Sequence, residues 1–427
     1  MAWQNGIYAL RHSCVDAPIT VPLPEFGLAV GRTGTFGEQP YLRDAACQAS
    51  GPWLQQVSRA GISGAWIVQA IRTGALTTAQ AAISPLARES GRADRRIGRV
   101  VPGPAAAPSR DAYPRPFANM ALRVIDLDGS LTRQAHLAAL VHREQADLVD
   151  LSDIAPGLRV IATRRGIEQF VGRLDSSLGA IGDKTEIVFY GSGDFHHLTA
   201  AMIGRVREPV TVIHFDNHPD WCSFPRTFNC GAWVCRTLAM PHVQRVVTLG
   251  PCSADLVRPE LQTADLTAIS QGRLEVYPWR ADPSRVWRKY RDTPCTRQAN
   301  GHLHWRNLAD EPWSAFLDEL VERLPKTPLW ITIDKDVLGP KEATTNWDQG
   351  EMQLAHVIEA VERFARNRRV IGVDVCGEHS EPVFADPFRR ALANFDNPPG
   401  PSPSPYELTR NAVTNARLIG AFDRIFN

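Results

Sequence analysis

The sequence lacks several features that would assign it to a class at once. No run of about 18 or more apolar residues occurs, so we expect no transmembrane helix and no membrane partner. The formal net charge is only +1, whereas nucleic-acid-binding chains usually carry a clear basic excess. Residues Met1 to Leu10 have no basic stretch followed by an apolar core, so we expect no signal peptide and a cytoplasmic location. The eight cysteines are dispersed, which argues against a dense disulfide framework.

The composition that is present predicts a large α/β unit with a smaller companion. A chain of 427 residues exceeds the roughly 100–200 residues of a typical domain. Residues 101–117 are rich in proline and alanine without apolar periodicity, which predicts a linker. We therefore expect a small N-terminal helical unit of unknown fold over residues 1–100 and the main domain over residues 118–427.

Short β-branched runs alternate with helical patterns after the linker. The predicted strands are Ala121–Leu127, Thr185–Tyr190, Val210–Phe215, Val246–Leu249, Leu274–Tyr277, Leu329–Ile333 and Arg369–Val375. Most are continuously apolar, as strands covered on both faces should be. Between them, apolar residues from Phe316 to Leu324 and from Leu354 to Phe364 follow helical spacing. The alternation predicts a three-layer α/β/α domain with a mostly parallel sheet, whose site lies beyond the carboxyl ends of the strands.

Histidines and aspartates follow three of these strands, at what should be one edge of the sheet. They are His196, Asp216, His218, Asp220, Asp334 and Asp336. Four carboxylates in one pocket repel each other and are costly to desolvate unless a cation neutralises them. Residues two apart in a strand point the same way, so the D-x-H-x-D and D-x-D spacings aim their ligands together. This donor set suits two divalent metals roughly 3.5–4 Å apart, with Mn²⁺ expected and Fe, Co, Ni or Zn as alternatives.

These segments resemble the ureohydrolase family of arginases, agmatinases and formiminoglutamases. The family's signatures at three strand ends are G-G-D-H, D-A-H-x-D and S-x-D-x-D-x-x-D-P. Residues 216–220 (DNHPD) match the second with asparagine for alanine, and residues 332–340 (TIDKDVLGP) match the third with glycine for the last aspartate. Residues 193–199 (GDFHHLT) match the first with an extra phenylalanine ahead of His196. The resemblance covers roughly Ala121 to the C-terminus, and the departures from the signatures imply a divergent member of the family.

The resemblance implies a ligand set and a reaction. One metal would be held by His196, Asp216, Asp220 and Asp334, and the other by Asp216, His218, Asp334 and Asp336. A water activated between the metals would attack the planar carbon of an amidine or guanidine and cleave a C–N bond. In the family a carboxylate after the last strand anchors the substrate's guanidinium, and Glu378 is the candidate for this role.

Two departures concern the reaction. Where the family carries a proton-relay histidine in the loop after the second signature, this chain has Cys230, a candidate catalytic residue, preceded by Asn229, a candidate substrate contact. A cysteine can relay a proton or act as a nucleophile only if its pKa suits the task. Trp347 and Asp348 stand in place of the family's T-G-T-P-x-x-G-G region and predict a different pocket wall around the substrate.

Several alternatives stay open. His197 would act with His196 as an acid–base pair if the domain were a deacetylase-like amide hydrolase on the same fold. His214 lies within an apolar run, which favours a core or supporting role over metal ligation. With Cys230 in the relay position, the domain could also be a metal-binding module with altered catalysis. The expected partners are a small amidine or guanidine substrate and, by the resemblance, further copies of the chain in a homo-oligomer.

Overall fold

The computed structural model describes residues 117–224, 227–397, 400 and 402–427. The expected N-terminal unit over residues 1–100 and the linker over residues 101–117, apart from Phe117, lie outside the described residues. Both stay predictions.

Eight parallel strands form the central sheet of the described part. In chain order, the strands are β1 Met120–Asp126, β2 Asp147–Asp150, β3 Ile161–Ala162, β4 Thr185–Phe189, β5 Val210–Phe215, β6 Phe228–Asn229, β7 Val243–Leu249, β8 Leu274–Tyr277, β9 Ser284–Arg285, β10 Thr296–Ala299, β11 His302–Trp305, β12 Leu329–Asp334 and β13 Val370–Cys376. The main sheet has the order β2-β1-β4-β13-β12-β5-β7-β8, and every neighbouring pair in it is parallel. The predicted parallel sheet is confirmed, and the remaining strands pair into two small sheets, β10-β11-β9 and β3-β6.

Helices cover this sheet in two groups, and the helices of each group contact one another. The helices are α1 Ala135–His142, α2 Arg164–Leu178, α3 Leu198–Ile203, α4 Trp233–Leu238, α5 Leu266–Ser270, α6 Trp313–Arg323, α7 Leu354–Asn367, α8 Pro387–Asp396 and α9 Pro405–Phe426. One group contains α1, α6, α7 and α9, and the other contains α2, α3 and α4. With the sheet between them, these groups make the three-layer α/β/α architecture that the alternating pattern predicts.

The central strands are buried on both faces because both helix layers press on them. All residues of β5, β12 and β13 are buried, which explains their continuous apolar character. The helix α7 shows how a layer attaches. Gln353 caps its N-terminus in a reciprocal bond with His356, and Leu354, Val357 and Phe364 lie on its buried stripe.

The length and the apolar character of the same helices bear on membrane insertion. None of the helices over the described residues combines the length and the apolar character that crossing a bilayer requires.

Candidate metal centre

The polar strand ends meet where β4, β13, β12 and β5 lie side by side. Asp334 is the last residue of β12, and Asp216 directly follows β5. After β4, a 3₁₀ turn over Gly193–Phe195 carries the chain to His196. Parallel strands bring their carboxyl ends to the same edge of a sheet, so three segments distant in sequence converge on one pocket.

His196 stands at the centre of the first cluster. Its Nδ1 lies 2.9 Å from Asp216 Oδ2, 3.4 Å from Asp334 Oδ2 and 3.7 Å from Asp220 Oδ2. The side chain is buried, and Nδ1 makes no hydrogen bond of acceptable geometry to any of these oxygens. A buried nitrogen without a partner is costly unless something else occupies the space it faces. Three carboxylate oxygens around such a nitrogen are the donor set of a divalent-metal position.

The opposite nitrogen of His196 determines which tautomer is present. Nε2 lies 2.9 Å from Thr332 Oγ1, and Thr332 donates its own hydroxyl proton to Asp374 Oδ1 at 2.7 Å. The threonine oxygen must therefore accept from Nε2, which holds a proton, so the lone pair of the neutral ring lies on Nδ1 and faces the carboxylates. Such an outer hydrogen bond commonly orients a metal-binding histidine. Asp374 is not among the site residues that the sequence predicts, although a buried acid inside an apolar strand is a recognisable signal.

A second cluster adjoins the first and shares Asp216 with it. His218 Nδ1 lies 3.0 Å from Asp336 Oδ2 and 3.5 Å from Asp216 Oδ1. The two oxygens of Asp216 are thus divided, Oδ2 toward His196 and Oδ1 toward His218. A carboxylate split between two clusters in this way has the geometry of a bridging ligand.

Two further side chains hold the carboxylates of the first cluster, Asp216 and Asp220, in place. His214 Nε2 lies 2.9 Å from Asp216 Oδ2, while its Nδ1 lies 3.0 Å from Thr248 Oγ1. Trp233 Nε1 donates to Asp220 Oδ2 at 2.6 Å. His214 is therefore close enough to the first cluster to be a possible metal ligand. Both of its ring nitrogens already have hydrogen-bond partners, which favours a supporting role.

Burial and mutual repulsion dominate the electrostatics of the pocket. Burial, followed by the Asp216 charge, raises the pKa values of Asp220 and Asp336 well above the ordinary range. Burial opposes ionisation of Asp216 too, but the close approach of His196, His214 and His218 holds its pKa well below the usual value. Burial alone would lower the pKa of His196, yet the carboxylates around it, Asp216 first, raise it to about 9. The pocket attracts positive charge strongly, as a cation site should.

Glycine is required where the backbone passes Asp334. A Cβ on Gly193 would lie 2.6 Å from Asp334 Oδ2, closer than such contacts allow. Gly377 approaches the other oxygen of the same carboxylate, with φ of +85°. A side chain at either position would fill the space beside Asp334, which is a predicted ligand.

The exposed side of the pocket is formed by the predicted wall residues. Asp348 Oδ1 lies 3.0 Å from His218 Nε2, and Asp348 accepts from Asn217 Nδ2 through its backbone oxygen at 2.9 Å. The Trp347 ring lies edge-on to His218 with centroids 5.6 Å apart, and its Nε1 donates to Asp194 Oδ1 at 2.8 Å. Asp348 thus orients a predicted ligand, and its side chain keeps 68% exposure for contact with a bound molecule.

Cys230 lies beside the pocket as a neutral thiol. Its Sγ lies 3.2 Å from the carbonyl oxygen of Asp194, 3.6 Å from that of Gly193 and 3.5 Å from His197 Nδ1. Burial, followed by the Asp220 and Asp194 charges, raises the pKa of Cys230 well above its ordinary value. Burial lowers the pKa of His197 to about 3. The two side chains are therefore a neutral pair, not the thiolate and imidazolium of an activated nucleophile.

Asn229 lies at the end of β6 and is half-buried. Its Nδ2 donates to Thr227 Oγ1 at 2.5 Å. This contact stabilises the loop that carries Cys230, and the hydrogen bonds of the described residues do not join Asn229 to the carboxylate cluster.

Both carboxylate oxygens of Glu378, the residue expected to anchor the substrate, are engaged by side chains of the protein. Lys335 Nζ and Asn415 Nδ2, the latter at 2.7 Å, both donate to its Oε1. Asn411 Nδ2 and Gln134 Nε2 donate to its Oε2 at 2.9 and 3.1 Å. With two donors on each oxygen and 2% exposure, this carboxylate has no lone pair left for a guanidinium. It anchors the last helix, α9, to the sheet instead.

Arg159 was missed by every motif yet is buried behind the pocket wall. Its Nη1 donates to Asp194 Oδ2 at 2.5 Å, and its Nη2 donates to Ser380 Oγ at 2.8 Å and to Asp128 Oδ2 at 3.4 Å. Because Asp194 also accepts from Trp347, the arginine fixes the wall through one intermediate. A single arginine in a loop carries no sequence signal for such a role.

The chain is only distantly similar to known proteins. No family model matches the chain. An uncharacterized protein of Thermotoga maritima is 23% identical over 257 residues, which cover 60% of this chain and 79% of that protein. The arginase of Bacillus caldovelox is 15% identical, with coverage of 66% of this chain and 99% of that one, and a TM-score of 0.41.

Two other solved structures are similar to the same extent. Formimidoylglutamase of Bacillus subtilis is 14% identical over 74% of this chain and 96% of that one, with a TM-score of 0.41. Proclavaminate amidino hydrolase of Streptomyces clavuligerus is 13% identical over 70% and 95%, with a TM-score of 0.39. Similarities with scores and identities this low do not assign an activity to the chain.

Proposed function

We propose that this chain is a hydrolase that holds two divalent cations and cleaves a C–N bond of an amidine or guanidino compound. The observation that carries the proposal is the divided carboxylate of Asp216, which faces His196 with one oxygen and His218 with the other. Two adjoining clusters of histidine and aspartate, buried except for the half-buried His218 and joined by Asp216, are what a binuclear site requires.

These contacts support the ligand assignment that the family resemblance implies, and the second role of Asp334 rests on the resemblance alone. One cation would be held by His196, Asp216, Asp220 and Asp334, and the other by Asp216, His218, Asp334 and Asp336. When bound, such a pair lowers the pKa of water and polarises the bond under attack. The donor set is oxygen-rich with two imidazoles, which divalent metals of intermediate hardness favour.

The chain's own residues would position the ligands and the substrate. Thr332 and Asp374 keep the proton on His196 Nε2, so Nδ1 stays directed into the cluster. On the exposed side, a planar amidinium would meet the Trp347 ring and the Asp348 carboxylate, a combination that favours a flat cation.

Cys230 limits how the departing amine receives its proton. The pKa of the Cys230 thiol is raised well above its ordinary value, so the thiol is a weak acid and gives up its proton poorly at neutral pH. A histidine at this position would exchange protons more readily. We therefore expect slow release of a basic amine and faster reaction with substrates whose leaving group needs less protonation.

The test begins with metal content and then activity. Full-length protein should retain a pair of Mn, Fe, Co, Ni or Zn ions per chain, and Asp216→Asn should lose both because both clusters use this residue. The matched control is Asp282→Asn, which changes an exposed carboxylate. An unchanged metal content in Asp216→Asn would contradict the binuclear assignment.

Activity is then measured as urea or ammonia release from a panel of guanidino and amidine compounds, with acetylated amines alongside. Turnover of the first group supports the proposal, whereas turnover of acetylated amines alone would favour the deacetylase-like alternative. If metal is bound but no compound reacts, and Cys230→His then produces turnover, the chain is a metal-binding module with altered catalysis.

A further inference from the structure

We propose that Cys376 supplies a sulfur ligand to the cation position between His196 and Asp334, so that this position prefers a thiophilic metal over Mn²⁺. The inference rests on the proposed metal site and extends it. The motifs named oxygen and nitrogen donors only; the sulfur comes from the neighbouring strand.

The register of the sheet brings the sulfur to the pocket. Strands β12 and β13 pair so that Cys376 lies directly beside Asp334. Its Sγ donates to Asp334 Oδ2 at 3.2 Å, and this is the oxygen that faces His196. The cysteine is completely buried, so the sulfur is part of the pocket and not of the surface.

A second observation points to a ligand at the same place. The Nδ1 of His196 is buried, has no hydrogen-bond partner and lies 3.4 Å from Asp334 Oδ2. A ring nitrogen of His196, the Sγ of Cys376 and a carboxylate oxygen of Asp334 all lie within 4.8 Å of one another. A metal bound to sulfur at about 2.3 Å and to nitrogen or oxygen at about 2.0–2.2 Å separates its ligand atoms by comparable distances.

The chemistry of sulfur determines which metal is favoured. Thiolate is a soft donor that selects zinc and related thiophilic metals, whereas carboxylate and water suit manganese. On binding, the S–H bond breaks, its proton passes to water, and the sulfur lone pair forms the bond to the cation. The hydrogen bond from Sγ to Asp334 is lost at the same time, which frees that carboxylate oxygen for the cation.

Cobalt substitution tests the inference directly, because a cobalt–thiolate bond gives a charge-transfer band in the near-ultraviolet that oxygen and nitrogen ligands do not. Full-length wild-type protein loaded with Co²⁺ should show this band. Cys376→Ser should lack the band while still binding cobalt, as measured by its visible absorption and by elemental analysis. Cys376→Ala serves as a second variant if serine impairs folding, which circular dichroism would reveal.

Two cysteine variants serve as controls. Cys230→Ser removes the other thiol near the pocket, and Cys295→Ser removes a buried thiol that contacts Thr293. Both should keep the band. Its disappearance in Cys230→Ser but not in Cys376→Ser would overturn the inference, because the sulfur ligand would then be Cys230.

Metal competition gives a second readout. With equal Zn²⁺ and Mn²⁺ offered, Cys376→Ser should shift the bound ratio toward manganese by about tenfold or more, since even the loss of an outer partner of a ligand costs about 10–100-fold in affinity. Cobalt bound without the band, or an unchanged ratio, overturns this inference and leaves the proposed function intact. Wild-type protein that binds no divalent metal overturns both.

Discussion

The free energy of unfolding of the metal-free protein should fall as the pH rises from about 6.5 to 9. The metal-loaded protein should not show this fall. The carboxylates around His196 raise its pKa from 6.5 to about 9 in the folded chain, although burial alone would lower it. A folded pKa above the unfolded one means that the protonated histidine stabilises the fold fully below pH 6.5. That contribution disappears as the pH rises through about 9.

The magnitude follows from the shift. About 2.5 pKa units at about 1.36 kcal/mol each give roughly 3 kcal/mol of unfolding free energy from this residue. The pKa of His218 is also raised well above its ordinary value, by Asp336 first against burial, so its contribution has the same sign. With a cation in place, the Nδ1 lone pair is engaged and the proton no longer binds there, so the slope should disappear.

Denaturant unfolding at a series of pH values, with chelator and with saturating metal, measures both curves. His196→Gln should make the metal-free curve less steep, with the His218 contribution left, whereas His304→Gln, at an exposed position, should leave the curve unchanged. The reasoning fails if the metal-free protein keeps or gains stability between pH 6.5 and 9, or if metal does not alter the slope.

Two further predictions concern single side chains. Gly193→Ala would place a Cβ 2.6 Å from Asp334 Oδ2 and should weaken metal binding by about 10–100-fold in a calorimetric titration. The control Gly172→Ala, in the open middle of α2, should bind metal normally and gain about 0.5–1 kcal/mol in the free energy of unfolding. Equal metal affinities in the two variants would show that the close approach of Gly193 to Asp334 is not important. Because burial and neighbouring charges raise its pKa, Cys230 should resist iodoacetamide at pH 7 in the folded protein, and rapid alkylation detected by mass spectrometry would contradict a neutral thiol.

Most of the fold was predictable from local pattern. Each of the seven predicted strands is present in the main sheet, because a strand covered on both faces must be apolar along its whole length. The eighth, β2 at Asp147–Asp150, was missed since it forms an edge of the sheet and exposes its two aspartates. The short strands β9, β10 and β11 were missed for a similar reason, as each has too few buried residues to form a pattern.

The roles within the pocket were less predictable than its location. The family resemblance implies a substrate contact for Glu378, but donors just before α1, just after β12 and on α9 meet there and occupy both of its oxygens. Those donors include Gln134 and Asn415, which are 281 residues apart in sequence. No local pattern records which side of a strand end such distant groups will reach.

The sequence by itself determined the inventory of the site. Alternating strands and helices, with Asp216 and Asp334 at strand ends, already imply one edge where acids must share a cation, because parallel strands bring those ends together. Only the tertiary structure decided how each side chain is used. It directs His196 into the cluster and His197 toward Cys230, and it pairs β12 with β13 so that Cys376 meets Asp334. These choices depend on register and on contacts between segments far apart in the chain, which residue spacing within one segment cannot express.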